Sequence, residues 1–262
     1  MTTTQLYDGD IGELSGAPRA AALDGLVTAL RSPDPTVRDD RAYVTAVGWI
    51  PALDPAERND LGDRMAAYFT DAEPQARTFA PLVLARIVEA GDWREAWWRP
   101  FAAWYPAEQD LRGYDPALGW LHAAAHGADL LAALSRHPGQ DPLPLAGLAA
   151  DRLLAPTDHL FDALEDDRIA YALARILSHP DLTAAQSVAW LDPIAEAFHT
   201  GEPGPVPAWA SNAVRTLRML YVVAHRGVRT RNTDGPPRPL THREQVLEAL
   251  AETLAIVAPW TG

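Results

Sequence analysis

The chain has 262 residues, 48% of them hydrophobic, so it can bury a sizeable core in one large domain or two small ones. Its formal net charge of -13 argues against a general nucleic-acid binder, which needs a basic surface, and against docking on anionic membranes. Cysteine is absent, which excludes disulfides, thiolate metal sites and cysteine nucleophiles.

The first residues, MTTTQLYDGDIGEL, lack a basic region followed by an apolar core, so no signal peptide is expected. No apolar run is long enough to span a bilayer, and a cytoplasmic location is predicted. Residues 1–17 are polar and glycine-containing and are predicted to form an N-terminal arm. Residues 18–262 are predicted to form a single α-helical repeat domain.

Alanine and leucine dominate the apolar residues, which favours helix over sheet. Prolines between the apolar runs mark the ends of short predicted helices, including 19–30 and 55–69. The composition of 226–240 predicts a loop. A last helix is predicted at 242–257, with Thr241 and Glu244 forming a capping box at its start. The fold class that follows is all-α.

A weak internal repeat runs through the chain. Five predicted helices align on anchor residues that recur roughly every 40–50 residues, namely Arg38, Arg77, Gly119, Arg168 and Arg215. An apolar run follows each anchor, and room for one further helix separates successive anchored helices. This pattern predicts a HEAT-like α-α superhelix of stacked antiparallel helix pairs. An irregular helical bundle with a chance arginine spacing is the alternative.

The densest polar chemistry lies in residues 108–134. Asp115-Pro116 is predicted to open a helix, which continues through the alanine- and leucine-rich run at 118–134. His122, His126 and Asp129 follow one another at spacings of four and three residues, so they are predicted to project from one stripe of that helix.

Three interpretations of this stripe remain open. As metal ligands, two histidines at i, i+4 with a carboxylate resemble metallohydrolase or non-haem iron sites, although Ala123 stands where the HExxH pattern has glutamate. As acid–base groups, a histidine beside Asp129 would be oriented and made more basic. As structural groups, both imidazoles would join helices by hydrogen bonds. A divalent metal is thus left open, and no other cofactor is expected.

Polar side chains also recur at equivalent places in the other anchored helices. Because equivalent faces of stacked repeats line one surface, we expect a polar groove. Its candidate ligand-binding residues are Arg112, Tyr114, Trp120, Arg168, Tyr171, Arg215 and Arg218. Guanidinium groups suit a carboxylate or a phosphate. Nearby Asp110, Asp115 and the acidic run at 165–167 can instead neutralise these arginines internally, as is the rule for buried charges.

Three functions follow from these patterns. The first is a binding module whose groove holds a small anionic ligand or an acidic peptide. The second is a metal-assisted hydrolase or acid–base enzyme centred on His122, His126 and Asp129. The third is a scaffold that binds another protein. Neither nucleic acid nor membrane is expected as a partner, and no glycine-rich phosphate loop, dinucleotide fingerprint or nucleophile elbow supports other chemistry.

Several segments, in this order, resemble the bacterial family called domain of unknown function 2785. They are Arg77-Thr78-Phe79, Asp110-Leu111-Arg112-Gly113-Tyr114, Gly119-Trp120-Leu121-His122 with His126 and Asp129, Glu165-Asp166-Asp167-Arg168, and Asn212 with Leu217-Arg218-Met219-Leu220-Tyr221. The resemblance runs from about residue 20 to about residue 225, and its central block is the most specific part. Where the family usually has a lysine before Gly-Trp, this chain has Leu118. The resemblance implies an all-helical fold and no particular activity.

Overall fold

The computed structural model describes residues 6–201, 204–229 and 235–261. Its α-helices are α1 (Gly16–Leu30), α2 (Pro35–Val37), α3 (Val44–Trp49), α4 (Pro55–Tyr68), α5 (Pro74–Glu89), α6 (Glu95–Ala107), α7 (Ala123–Leu134), α8 (Pro142–Leu154), α9 (Glu165–Ile176), α10 (Asp192–His199), α11 (Ala208–Arg226) and α12 (Arg243–Val257). A π-helical stretch, Arg38–Tyr43, joins α2 to α3, and short 3₁₀ turns lie at Ile11–Glu13, Ile50–Ala52, Ala189–Leu191 and Pro259–Thr261.

The predicted all-α class is confirmed, since the chain is 66% helical. Strand is confined, among the described residues, to one hairpin of two two-residue strands, β1 (Tyr114–Asp115) and β2 (Gly119–Trp120), and one isolated bridge. No helix of the described ranges has both the length and the apolar character needed to cross a membrane.

Proline and acidic caps set the start of several helices. At α4, Asp54 accepts a hydrogen bond from the Glu57 N–H at 2.9 Å, and the Glu57 carboxylate accepts one from the Asp54 N–H at 3.0 Å. Pro55 occupies the first turn, where a proline leaves no helical acceptor unsatisfied. The helix predicted at 55–69 is therefore confirmed to within one residue, as Pro55–Tyr68.

The helices pack in two rows. In one row, α3 contacts α5, α5 contacts α7, α7 contacts α9 and α9 contacts α11. In the other row, α1 contacts α4, and further contacts follow from α4 to α6, α8, α10 and α12 in turn. Links such as α4 to α5, α8 to α9 and α11 to α12 join the rows. This arrangement is what stacked helix pairs require, while the superhelical path itself stays a prediction.

The α5, α7, α9 and α11 row runs in one direction. His126, near the start of α7, contacts the carbonyl of Thr78 near the start of α5. Asp166, at the start of α9, pairs with Arg215 of α11. Asp129, in the second turn of α7, pairs with Arg168 in the first turn of α9. The start of α7 therefore lies beside the start of α5, and the start of α9 lies beside the middle of α11.

The described part of the predicted N-terminal arm is packed rather than loose. Leu6 and Ile11 are buried, and the Trp49 indole donates a hydrogen bond to the Gly9 carbonyl at 3.1 Å. The first helix begins at Gly16, three residues before the predicted start at 19. Residues 1–5 of the predicted arm lie outside the described residues.

The predicted loop at 226–240 and the last helix need one correction. An antiparallel β-bridge between Val228 and Arg238 joins the two sides of the loop. Residues 230–234 of the predicted loop lie outside the described part of the chain. The last helix begins at Arg243, close to the prediction, but the capping box is wrong because no side chain caps this helix. The Thr241 hydroxyl instead donates to the His179 carbonyl at 3.0 Å, which ties α12 to the end of α9.

Candidate functional site

The segment before α7 is a β-hairpin, so the prediction of a helix opening at Asp115-Pro116 is wrong. The Asp115 carboxylate accepts hydrogen bonds from the N–H groups of Ala117 and Leu118, each at 2.8 Å. Gly119 has a φ of 72°, which lets the chain turn back and pair β2 with β1. Aspartate and glycine thus form a turn where the proline alone would have permitted a helix.

Buried Arg38 fastens this hairpin to the start of the helical stack. Its guanidinium donates to the carbonyls of Ser32 at 3.0 Å, Trp120 at 3.3 Å and Leu118. Asp39 pairs with it at 2.7 Å. Burial lowers the pKa of Arg38 and raises that of Asp39, and each partner partly offsets the effect on the other.

His122 does not lie on the helical stripe predicted for it. It precedes α7 with a φ of 50° and a ψ of 38°, a left-handed conformation, so its i, i+4 relation to His126 is not that of two helical residues. The two imidazoles nevertheless come together, with ring centroids 5.7 Å apart. The exposed ring of Trp120 lies on His122 at 4.5 Å.

Glu165 is the neighbour of His122 that the sequence analysis treated only as a counter-charge. Its carboxylate is fully buried, and Oε1 lies 3.6 Å from His122 Nε2. Burial is the main cause that lowers the pKa of His122 and raises the pKa of Glu165. The site therefore favours a neutral imidazole.

His126 is a buried histidine held between α5 and α7. Its Nδ1 lies 2.9 Å from the Thr78 carbonyl, so Nδ1 carries the proton and donates. The Phe79 ring meets it edge-on at 5.4 Å. Burial lowers its pKa from 6.5 to about 3. This geometry is that of a helix-joining histidine.

Asp129 is engaged by Arg168 rather than by the histidines. The two carboxylate oxygens accept hydrogen bonds from Arg168, one from Nε at 3.0 Å and one from the terminal nitrogen. This bidentate pair joins α7 to α9. Over the described ranges, no group of three or more histidine, aspartate or glutamate side chains is arranged to hold a metal ion.

Two more predicted ligand-binding arginines have internal acidic partners. Arg112 pairs with Asp110 at 2.6 Å and with Asp115, next to the exposed ring of Tyr114. Arg215 pairs with Asp166 at 2.8 Å and also donates to the Phe161 carbonyl at 2.6 Å. The sequence analysis allowed for acidic partners within the protein, and such partners are observed for Arg112, Arg168 and Arg215.

Tyr171, Arg175 and Arg218 form the remaining part of the polar face, on α9 and α11. The half-buried guanidinium of Arg175 donates to the Tyr171 hydroxyl at 3.0 Å and lies 5.8 Å from its ring centroid. Arg218 is exposed on the adjacent helix. Within the described residues, neither arginine forms an ion pair.

Sequence reasoning missed the hairpin and the pairing of His122 with Glu165. The turn signal was present, since an Asp-Pro pair followed by glycine between aromatic residues favours a hairpin. The approach of Glu165 depends on long-range packing. A Cβ at Gly113 would come within 2.8 Å of Glu165 Oε1, so only glycine fits there without displacement. This glycine is the local sequence feature that indicates the close approach of Glu165.

Comparison with known proteins places the chain in a family. No curated protein matches it significantly. Among solved structures, the crystal structure of an engineered protein is 16% identical, with a TM-score of 0.42 over 90% of this chain and 96% of that one. The sequence profile of a family described as "Protein of unknown function (DUF2785)" matches residues 70–222, which run from the start of α5 to most of α11. Since this match covers more than half of the chain, the protein belongs to that family.

Proposed function

We propose that the chain is a cytoplasmic helical-repeat binding module whose polar face on α9 and α11 takes a small anionic ligand or the acidic end of a peptide. The observation that carries this proposal is the pair Arg175 and Arg218. Both present a guanidinium to this face without a carboxylate partner among the described residues.

Arg175 and Arg218 differ in this respect from the arginines at the starts of the stacked helices. Arg38, Arg77 and neighbouring arginines at the starts of the stacked helices each have a carboxylate within ion-pairing distance. The protein as a whole carries a net charge of -13, so acidic groups are not scarce. A half-buried cation with only a phenol for a partner favours an anion from outside, because the ligand supplies the missing counter-charge.

The arrangement of the helices supports a shared site. α9 and α11 are neighbours that run in the same direction, with Arg215 seated against the start of α9. Arg218 follows Arg215 by about one helical turn, and Tyr171 follows Arg168 by about one turn. Arg168 pairs with Asp129 of α7 and Arg215 pairs with Asp166 of α9. As part of the proposal, we place the guanidinium groups of Arg175 and Arg218 on one polar face, where two forked donors can bind one carboxylate or phosphate.

A binding experiment with inorganic phosphate and with succinate tests the proposal. Either anion at a hundredfold excess over its dissociation constant is expected to stabilise the protein by about 2.7 kcal/mol, read from chemical unfolding. Arg175→Gln and Arg218→Gln are each expected to remove most of this gain. Arg99→Gln, on the opposite row at α6, is the matched control and is expected to keep it.

Two outcomes contradict the anion site. One is equal anion stabilisation in the wild type and in the Arg175→Gln, Arg218→Gln double variant. The other is an equal loss in Arg99→Gln, which would indicate non-specific binding of anions. Absence of any stabilisation would favour the protein-interaction scaffold instead.

A further inference from the structure

An open cavity of about 310 Å³ lies between the C-terminal ends of α5 and α7. Val88 and Glu89, in the last turn of α5, line one side of it, and Ala133, in the last turn of α7, lines the other. Residues 136–138, which follow α7, complete that second side. Ligand sites in proteins usually occupy about 300–1,000 Å³, so the size of this cavity suits a small molecule.

Two helices end at this cavity. At the end of α5, the Gly91 N–H donates to the Val88 carbonyl at 2.9 Å. The Asp92 N–H donates to the Ile87 carbonyl at 3.2 Å, which completes the two bonds of a Schellman motif. α7 ends nearby at Leu134. Because the carbonyl end of each helix carries a partial negative charge, this part of the cavity attracts a cation.

Arg136 supplies a positive charge on the α7 side of the cavity. It is exposed, and its guanidinium has neither an ion pair nor a hydrogen bond within the described residues. A guanidinium presents its donors in a planar fork that matches both oxygens of a carboxylate. Arg136 is therefore available to bind a carboxylate at the cavity.

Glu89 supplies a negative charge on the α5 side. Its side chain is 46% exposed, and its Oε2 lies 2.6 Å from Arg86 Nη1. Arg86 lines a neighbouring cavity, on the α3 side of α5, and does not line this one. The other carboxylate oxygen, Oε1, has no hydrogen-bond partner in the described part of the chain. This oxygen is therefore available to an ammonium group.

The two opposite charges line one cavity, yet no ion pair joins Glu89 to Arg136 in the described ranges. A simple carboxylate would be attracted by Arg136 but repelled by Glu89, and a simple amine would meet the reverse. A small molecule that carries both charges is attracted by both side chains. The cavity therefore favours a zwitterion over either singly charged ligand.

The remaining wall of the cavity is mostly apolar. Val88, Ala133 and Pro138 line it, beside the two charged side chains and His137. A small aliphatic group would bury apolar area against this wall. A long polar side chain would instead leave hydrogen-bonding groups unpaired there, which costs binding free energy.

We propose that this cavity binds a free α-amino acid with a small aliphatic side chain, with Arg136 on its carboxylate and Glu89 on its ammonium group. The C-terminal ends of α5 and α7 add to the attraction of the ammonium group. The site is distinct from the proposed anion site on α9 and α11 and uses none of its residues.

Isothermal titration of the full chain with L-valine tests the proposal. L-Valine is expected to bind saturably, at one site per chain. Isovalerate lacks the ammonium group, and isobutylamine lacks the carboxylate. Each is expected to bind at least about tenfold more weakly than L-valine, because each leaves one charged side chain of the cavity without its partner.

Variants of single charges identify the binding residues. Arg136→Gln and Glu89→Gln are each expected to raise the Kd for L-valine at least about tenfold, the factor that corresponds to one charge-assisted hydrogen bond. Arg99→Gln on α6 and Glu252→Gln on α12 remove the same charges at exposed positions elsewhere and are expected to leave Kd unchanged. Arg86→Gln removes the ion pair to Glu89 but keeps the carboxylate, so it is expected to retain binding.

Absence of saturable L-valine binding overturns the proposal. An equal Kd in the wild type and in the Arg136→Gln, Glu89→Gln double variant also overturns it. Isovalerate binding as tightly as L-valine would show a simple anion site, and this comparison uses the wild type, so it decides even if a variant fails to fold. The Arg175→Gln, Arg218→Gln double variant is expected to keep L-valine binding. Loss of binding in that variant alone would place the amino acid at the anion site, which distinguishes failure of one proposal from failure of the other.

Discussion

At the scale of single residues, the two central histidines show how surroundings divide one motif into two roles. His126 is 6% exposed and bonded to a backbone carbonyl, which makes it part of the core. The His122 side chain is 14% exposed, lies against the Trp120 ring and faces a carboxyl group. Sequence spacing placed both on one stripe, but it could not show that the helix begins after His122, since the hairpin turn decides where the helix starts.

The neutral state of His126 predicts acid sensitivity. Its folded pKa is about 3, below the ordinary value of 6.5, so the unfolded chain binds a proton here that the folded chain does not. The stability linked to this group is therefore fully present above pH 6.5 and is lost as pH falls toward 3. His126→Asn keeps an N–H donor but cannot titrate. Its free energy of unfolding should fall less steeply with acid, by up to about 1.4 kcal/mol per pH unit.

Urea unfolding of both proteins across this pH range measures the difference in slope. Other titrating groups are common to the two proteins and cancel in the comparison. Parallel curves for wild type and His126→Asn would show that His126 already titrates normally in the folded state.

At the scale of helices, an Asp-Pro pair starts a helix at one place in the chain and a hairpin turn at another. Asp54 before Pro55 starts α4 as predicted. Asp115 before Pro116 instead caps the turn of a hairpin that closes at Gly119. Both begin with the same Asp-Pro pair, so local propensity left two outcomes open. Packing of the hairpin against Pro35 and Arg38, far away in sequence, is consistent with the second.

The ion pair between Asp129 and Arg168 connects α7 to α9. Their side chains are 17% and 26% exposed, so each would be left partly buried without the other. Arg168→Leu is expected to cost about 1–3 kcal/mol of unfolding free energy, below the value for a fully buried pair because of this exposure. Adding Asp129→Leu should cost less than the sum of the single changes, because no charge is then left unpaired.

A double-mutant cycle by chemical denaturation measures this coupling. The control is Arg41→Leu, which removes an ion pair whose side chains are 41% and 64% exposed and should cost no more than about 1 kcal/mol. If the losses of unfolding free energy at Asp129 and Arg168 are additive, the ion pair contributes little to stability. That result would favour the ligand-binding role predicted for Arg168 from the sequence.

At the scale of the whole molecule, the helices pack in two rows, while the HEAT-like repeat predicted from the sequence stays a prediction. Three anchors of the predicted repeat, at 38, 77 and 168, lie at or near the starts of helical segments, while Arg215 lies about two turns into α11. Gly119 departs from this pattern, since it lies in the hairpin before α7. A periodic sequence can reveal that units stack, because each unit buries its apolar face on the next. The pairings of individual arginines depend on contacts between units and could not be read from the period.

Stacked units predict graded rather than uniform stability. α7 contacts α5 on one side and α9 on the other, whereas α12 contacts α10 and α11 and closes the described part of the stack. In a stack, each unit is stabilised mainly by its neighbours, so central units open less often than terminal ones. Hydrogen exchange of backbone amides, followed by mass spectrometry, should therefore be slowest in α5, α7 and α9 and measurably faster in α1 and α12. Removing the Arg215–Asp166 ion pair between α9 and α11 through Arg215→Leu should speed exchange in α11 and α12 more than in α5. Uniform protection from α1 to α12, changed equally everywhere by that substitution, would show a single cooperative bundle and contradict a stack of semi-independent units.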